Sequence, residues 1–432
     1  MMFGIFKRRG FTTPWHLRIL YISTFLLRTA FGALLLLIAK YVPSDPNNTY
    51  VGLLNVAIIA VPYPLAEMVT ANYFGVISDR IGRKSIIVLG TTLAAIIVVF
   101  YTLSNNVWYL SFMHGIHGIG AAATVAPAIA MIADHARTED RGRQMGWFDY
   151  STFLGYIIGA VVGGFMIDIT GPRVGFVIIS ALLACSAFML WRLVKREPAK
   201  SKSEQYSVVR NLRLVFKVRE IRLMFPIWLI IATLLGLAIT YLPRIMLSND
   251  IKGSTIGLAF GAAGVALGLL QPFWGKVSDV VGRIPVMAYG VFSIFGIVLV
   301  LLFFRDYAFV STDNEIHFKL LGMIPLAVFG LGAGAFVPAA LAMMADSSTA
   351  ERYGATMGLY SFALGFGAFI AESLGLGIIV ASGQVANPSE AAPMWLLYLA
   401  AALIALAMIL MIVFFLSTFV KRRLGRKQVE KG

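Results

Sequence analysis

Two short charged turns, each wedged between apolar runs long enough to cross a bilayer, constrain this chain more than any other feature. The first, residues 75–84, reads Gly-Val-Ile-Ser-Asp-Arg-Ile-Gly-Arg-Lys, and the second, residues 275–283, reads Gly-Lys-Val-Ser-Asp-Val-Val-Gly-Arg. Gly75, Ser78, Asp79, Gly82 and Arg83 thereby recur 200 residues later as Gly275, Ser278, Asp279, Gly282 and Arg283. Glycine permits a sharp bend and close helix approach. A carboxylate such as Asp79 suits the positive N-terminal end of a neighbouring helix. The same turn at the same distance in each half implies a duplicated bundle.

Around the turns the sequence is 59% hydrophobic and only 13% charged, against roughly 25% charged residues in a soluble domain. Apolar stretches of about 20 residues, separated by short polar breaks, predict twelve spans. They cover 17–42, 50–77, 85–103, 107–133, 144–169 and 171–194, then 223–247, 254–277, 285–304, 320–345, 353–381 and 394–419. Pro62 and Pro64 are expected to kink the second. The predicted fold is therefore an all-α membrane protein of two six-helix pseudo-repeats, 1–194 and 223–432, the latter ending in a basic tail. Residues 195–222, rich in Lys, Arg and Ser, form the linker. Within it Arg210, Arg213 and Lys217 share one helical face and Val208, Leu212 and Val215 another, the pattern of a helix lying on an anionic leaflet; a solvated linker is the alternative.

The net charge of +15 is a matter of topology. Of the 36 Lys and Arg residues, six (Lys40, Arg173, Arg244, Lys252, Arg305 and Lys319) fall on the predicted outer face, Arg28 lies inside a span, and the remaining 29 face inward. That is the positive-inside bias. It places both termini and the linker in the cytoplasm of a multi-pass cell-membrane protein and leaves no need for a nucleic-acid partner. The single cysteine, Cys185, excludes an intrachain disulfide and a Cys-based metal site, and reads as a small core residue of the sixth span. The run from Leu17 is too long for a signal-peptide core and is expected to be the uncleaved first span. Asn47-Asn48-Thr49 is a glycosylation sequon on the outer side.

A Gly-x-x-x-Asp-x-x-Gly-Arg turn between two spans, present in both halves, resembles the signature loop of the major facilitator superfamily. The resemblance implies parallel six-span repeats with the substrate path between them near mid-membrane. It also implies a gate. Asp79 is expected to meet the eleventh span and Arg83 the acid ending the fourth, Asp134, so that Gly75, Asp79, Arg80, Gly82, Arg83 and Asp134 latch the inner side. Asp279, Gly282, Arg283 and Asp346 would form a second, weaker latch, because Val280 and Ile284 replace basic residues. Turns that only anchor topology are the alternative.

The repeat extends further. Gly118-Ile-Gly-Ala, Pro127 and Asp134 echo Gly330-Leu-Gly-Ala, Pro338 and Asp346, and Gly146, Gly155 and Gly163 recur 212 residues on as Gly358, Gly367 and Gly375. The fifth span, with Gly146, Gly155, Gly159, Ala160, Gly163 and Gly164, resembles the antiporter motif of the superfamily's drug-proton exchangers, except that Ala160 stands where those have Pro. Such glycines let spans pack closely, and the missing Pro removes a bend. Those exchangers carry Arg four residues before the Gly118-Ile119-Gly120 of the fourth span. Here that slot holds His114, with His117 a turn later, and histidine titrates near neutral pH.

Two charges sit deep. At 1.5 Å per residue, Arg28 lies about 16 Å and Glu67 about 15 Å from the inner ends of their spans. An unpaired charge there is costly, so the two are expected to pair, with Glu67 a carboxylate whose proton depends on its neighbours. Asp149 and Glu372 are secondary candidates. Aligning the halves puts Ala232 opposite Arg28 and Leu267 opposite Glu67, an apolar wall facing a charged one in which Gln271 is among the few polar groups. An amphiphilic small molecule suits that cavity better than a sugar.

The expected function is proton-coupled export of amphiphilic or lipophilic small molecules by a monomer in the bilayer, without cofactor or metal. An organic-anion carrier using Arg28, or a receptor or scaffold on the same fold, are the alternatives. No nucleophile-base pair, phosphate loop or metal cluster supports an enzyme.

Overall fold

A computed structural model describes residues 15–43, 49–135, 141–194, 216–303, 309–312, 315–318, 320–346, 353–385 and 387–429. The first set of helices comprises α1 (Trp15–Tyr41), α2 (Thr49–Ala60), α3 (Pro62–Ile81), α4 (Arg83–Phe100), α5 (Val107–His135), α6 (Arg141–Ile169) and α7 (Gly171–Leu193). The second comprises α8 (Arg219–Ser248), α9 (Gly253–Leu269), α10 (Gln271–Val281), α11 (Arg283–Phe303), α12 (Leu320–Ala333), α13 (Phe336–Asp346), α14 (Tyr353–Ser382) and α15 (Pro388–Val429). The amphipathic face expected around Arg210 and Arg213 lies outside the described residues. Among them, 11 helical segments are long and apolar enough to cross a membrane.

The expected spans are interrupted in these helices at three places, the first being the kink expected at Pro62. The second span divides at Val61, ahead of Pro62, which sits in the first turn of α3 where a missing N–H costs least. The span expected over 254–277 is two helices instead, because Pro272 in the first turn of α10 follows a break at Leu270. Only its first part, Gly253–Val265, stands out as a shorter apolar helix. The tenth span also divides, at Gly334 and Ala335. A further departure from an all-α chain is a small antiparallel hairpin, β1 (Phe309–Thr312) and β2 (Glu315–Phe318), between α11 and α12. Cys185 is exposed rather than part of the core, since α7 turns Leu183, Ser186 and Ala187 inward instead.

Each set has its own apolar interior. In the first, Leu34, Leu37, Val98, Tyr101 and Phe176 pack together, with a second cluster around Leu17, Ile87 and Met131. In the second, Ile227, Met287, Phe336, Met344 and Phe414 do so. The sets meet at one end. We call the side bearing Trp15 and Val429 the terminal face, and the opposite side, bearing the hairpin, the far face.

Towards the far face, α6 and α9 touch backbone to backbone: a Cβ on Gly164 would strike the Gly253 carbonyl oxygen, and one on Gly257 would lie 2.5 Å from that of Ala160. Leu53 and Ala57 of α2 also share a buried cluster there with Leu237, Tyr241, Ala371 and Ile379 of α8 and α14. Towards the terminal face, a Cβ on Gly75, Gly268, Gly275 or Gly365 would meet nothing within 4 Å. Among the described residues, the contacts between the sets thus gather towards the far face, and helices facing the divide leave open space towards the terminal face.

Candidate functional site

Polar side chains gather where the two sets face each other. Arg28 stands on α1 against α6, where a Cβ on Gly155 would lie 2.6 Å from the Arg28 Cβ. The absence of a side chain at Gly155 gives the arginine its place. Its Nη1 donates to the Tyr156 hydroxyl at 2.9 Å, and its guanidinium carbon lies 5.4 Å from the Tyr156 ring centroid. The arginine Nε is buried without a hydrogen-bond partner.

The expected ion pair with Glu67 is therefore not formed. Counting residues gives a depth along each helix but not the direction of the side chain around it, and Arg28 points to α6. Glu67, half-buried on α3, remains within electrostatic range of Arg28.

Across the divide, Glu372 of α14 lies within electrostatic range of Glu67. Its Oε1 accepts a long hydrogen bond, 3.4 Å, from the Thr240 hydroxyl, and its backbone carbonyl accepts one from the Tyr241 hydroxyl at 3.0 Å. Its Oε2 is buried with no partner. Each set thus contributes one carboxylate, and the two lie within electrostatic range of each other. Two negative charges sharing a poorly hydrated site repel, so a proton or a cationic group on either one relieves the other.

Behind this site an aromatic group fills the first set. Phe31 packs on Tyr63 at 5.3 Å and edge-on to Tyr156 at 5.8 Å between ring centroids. Tyr63 in turn packs on His114 at 4.9 Å and on His117 at 5.4 Å. Both histidines are buried. The Tyr101 hydroxyl reaches His114 Nδ1 at 2.8 Å and His117 Nδ1 at 3.3 Å. One hydroxyl proton serves only one ring, so with neutral rings one histidine accepts from Tyr101 while the other donates its Nδ1–H to it. The pair is thus hydrogen-bonded inside the first set, one aromatic layer away from Glu67.

The two turns share most of their hydrogen bonds. Gly82 and Gly282 take φ of +104° and +105°, where a side chain would be strained, and their N–H groups close the preceding helices on the Ser78 and Ser278 carbonyls. The Ser78 hydroxyl donates to the Gly75 carbonyl and accepts from Arg83 Nη1; Ser278, Gly275 and Arg283 repeat the arrangement. Arg83 Nε then reaches Asp134 at 3.2 Å, and Arg283 Nε reaches Asp346 at 2.9 Å, with Asp279 also bonded to Arg283. Each of these pairs joins helices of one set. The link expected from Asp79 to the eleventh span falls on a side chain outside the described residues, as does that of Asp149, and Arg80 is exposed. A Cβ on Gly75 or Gly275 would meet nothing within 4 Å, so the positive φ of the bend belongs to Gly82 and Gly282.

The glycines of α6 divide between two partners. Cβ atoms on Gly155, Gly159 and Gly163 would strike α1 at Arg28, Thr29 and Ala33, whereas one on Gly164 would strike α9. Ala160 lies between, its carbonyl against Gly257 and its N–H side against Gly32. The backbone of Gly146 lies in the first turns of α6. Tyr156, Tyr101 and Thr240 escape sequence reasoning, since no motif marks a partner chosen by helix rotation.

The family pattern of the Major Facilitator Superfamily matches residues 19–248 and 230–431. Among curated proteins, the chain is 27% identical over 238 residues to the multidrug resistance protein MdtG of Proteus mirabilis, covering 52% of this chain and only 57% of that one. It is 22% identical over 315 residues to the quinolone resistance protein NorA of Staphylococcus aureus, covering 72% and 79% respectively. Among solved structures, a point mutant of the nucleoside transporter NupG matches with a TM-score of 0.71 at 13% identity, over 93% of this chain and 100% of that one. A bacterial homologue of the human lysosomal transporter Spinster, in an inward-facing and unoccupied conformation, matches with a TM-score of 0.63 at 16% identity, over 94% and 96%. A family pattern spanning nearly the whole chain, on a fold shared with solved transporters, shows that this protein belongs to the major facilitator superfamily and is a multi-pass membrane transporter of small molecules.

Proposed function

We propose that the protein exports amphiphilic or lipophilic small molecules in exchange for protons. The observation that carries this reading is the pair of half-buried carboxylates, Glu67 and Glu372, on opposite sides of the divide, one oxygen of Glu372 having no partner. Substrate and proton compete for the pair. A cationic amphiphile neutralises it from the terminal face; a proton neutralises it after the sets have rocked open to the far face. Only the neutralised site crosses cheaply between the two states, because an uncompensated charge in that setting is costly. The aromatic layer of Phe31, Tyr63 and Tyr156 supplies the apolar contact surface.

In this reading the terminal face is cytoplasmic, as the Lys/Arg asymmetry requires, the chain works as a monomer in the cell membrane, and residues 1–194 and 223–432 move as two bodies. The resistance proteins among the relatives support the substrate class. The carboxylates weigh against an organic anion, which would meet two like charges beside Arg28.

The test is transport into vesicles. A panel of lipophilic cations, quinolones and organic anions is offered to inverted vesicles with and without an imposed pH gradient. Cation accumulation that collapses with the gradient supports the reading, and accumulation of anions alone, or independence of the gradient, contradicts it.

A further inference from the structure

Among the described residues, the far-face closure contains two polar contacts that cross between the sets, and each ends on a helix terminus. Asp168, in the last turn of α6, places Oδ1 at 2.9 Å from the Gly253 N–H and Oδ2 at 2.8 Å from the Ser254 N–H. Those are the first two residues of α9, whose leading N–H groups have no partner inside the helix. Lys252, just ahead of them, lies within range of the same carboxylate.

The second contact runs the other way. Arg244, near the end of α8, sends Nη1 across to the Ala39 carbonyl of α1 at 3.2 Å. That carbonyl has lost its own helical partner, because the residue four places on is Pro43, which has no N–H. Arg244 is 5% exposed and lies against Gly52, where a Cβ would come within 2.7 Å of the guanidinium carbon.

We propose that Asp168 and Arg244 are the gating residues of the far face, a reciprocal pair of clasps. An anion of the first set caps the N-terminus of a helix in the second, and a cation of the second caps the C-terminal end of a helix in the first. Both signs suit the helix dipoles. In both cases the partner is a backbone group left open by the helix end, so each clasp forms only when the sets close and breaks completely when they part. The glycine contacts of Gly164, Gly253 and Gly257 bring the backbones near enough for Asp168 to reach. This inference rests on the two sets moving apart, but not on the substrate or on protons.

The test uses the full-length protein in vesicles, in a Cys185→Ala background. Ala57→Cys reports on the far face, since Ala57 is 0% exposed in the closed cluster between the sets. Gly268→Cys reports on the terminal opening, where a Cβ meets open space. A membrane-impermeant maleimide is applied to each side in turn.

Asp168→Asn and Arg244→Gln should each raise far-side labelling at Ala57→Cys by roughly two- to fivefold, the scale of a charge at a helix end. Each should also lower terminal-side labelling at Gly268→Cys. The double variant should exceed either single one, and Asp168→Ala, which removes the accepting oxygens together with the charge, should exceed Asp168→Asn, which keeps one accepting oxygen. Opposite movement of the two reporters is what a shift between access states produces. Unchanged reporters, or both rising together as in a loosened fold, would overturn the proposal, whereas failure of drug or proton transport with the reporters moving as expected would leave it standing and remove only the exchange reading.

Discussion

The two helix sets share a pseudo-repeat but not a chemistry. The first holds Arg28, Glu67, His114 and His117, backed by Tyr63, Tyr101 and Tyr156, whereas the second brings Glu372 with Thr240 and Tyr241. At the turns the reverse is true, for Gly82, Ser78, Arg83 and Asp134 are copied by Gly282, Ser278, Arg283 and Asp346 down to individual hydrogen bonds. The turns tie helices together within each bundle largely by the same bonds. At the mid-membrane positions the copies have diverged: Ala232 and Leu267 stand opposite Arg28 and Glu67, and the second set's carboxylate, Glu372, comes from another helix.

Substitutions can break or sharpen this contrast, and the largest effect is expected at Glu67. Glu67→Gln should reduce gradient-driven accumulation to background. Glu372→Gln, on the side without an arginine, should lower it by roughly fivefold, within the range of site-to-site couplings; equal losses in the two variants would erase the distinction between the sets. Tyr156→Phe comes next. It removes a hydrogen bond to a charged group worth about 1.5–3 kcal/mol and frees Arg28 to approach Glu67. Because a nearby guanidinium favours the ionised carboxylate, the pH at which transport is half-maximal should move downward. An unchanged pH profile would show that Arg28 has no bearing on the proton site.

The turns give the smallest effects and the sharpest internal control. Gly82→Ala forces a side chain into a φ of +104° and should destabilise the first set by about 1–3 kcal/mol, with Gly282→Ala matching it in the second. Gly75→Ala, inside a helix with open space around it, should be neutral or stabilising by roughly 0.5–1 kcal/mol. Thermal unfolding of the detergent-solubilised protein reads both. A Gly75→Ala loss equal to that of Gly82→Ala would mean that the terminal opening closes around Gly75 in the populated state.

Much of this is legible in the sequence because it depends on spacing. Apolar length gives the spans, the 200-residue repeat gives the turns, and a depth count brings Arg28 and Glu67 to one level. What spacing does not carry is rotation about a helix axis, and for that reason Arg28 meets Tyr156 rather than Glu67. Ser78 is marked by its recurrence as Ser278, but its role is not legible, because it lies in one hydroxyl serving Gly75 and Arg83 at once. Pro272 reads as an ordinary member of an apolar run until the break at Leu270 places it in the first turn of a new helix. Asp168 and Arg244 acquire their roles only when helix ends are located and their open backbone groups matched across the divide.

Glu67 as the proton site is most directly tested by comparing two modes of transport in Glu67→Gln proteoliposomes, using a lipophilic cation transported by the parent protein. Exchange of labelled for unlabelled cation, with no pH gradient, needs only binding and the rocking of a neutral site, and it should persist. Uphill accumulation driven by a pH gradient needs a proton to be taken up and released, and it should vanish. Accumulation at the parent rate in Glu67→Gln would contradict the account.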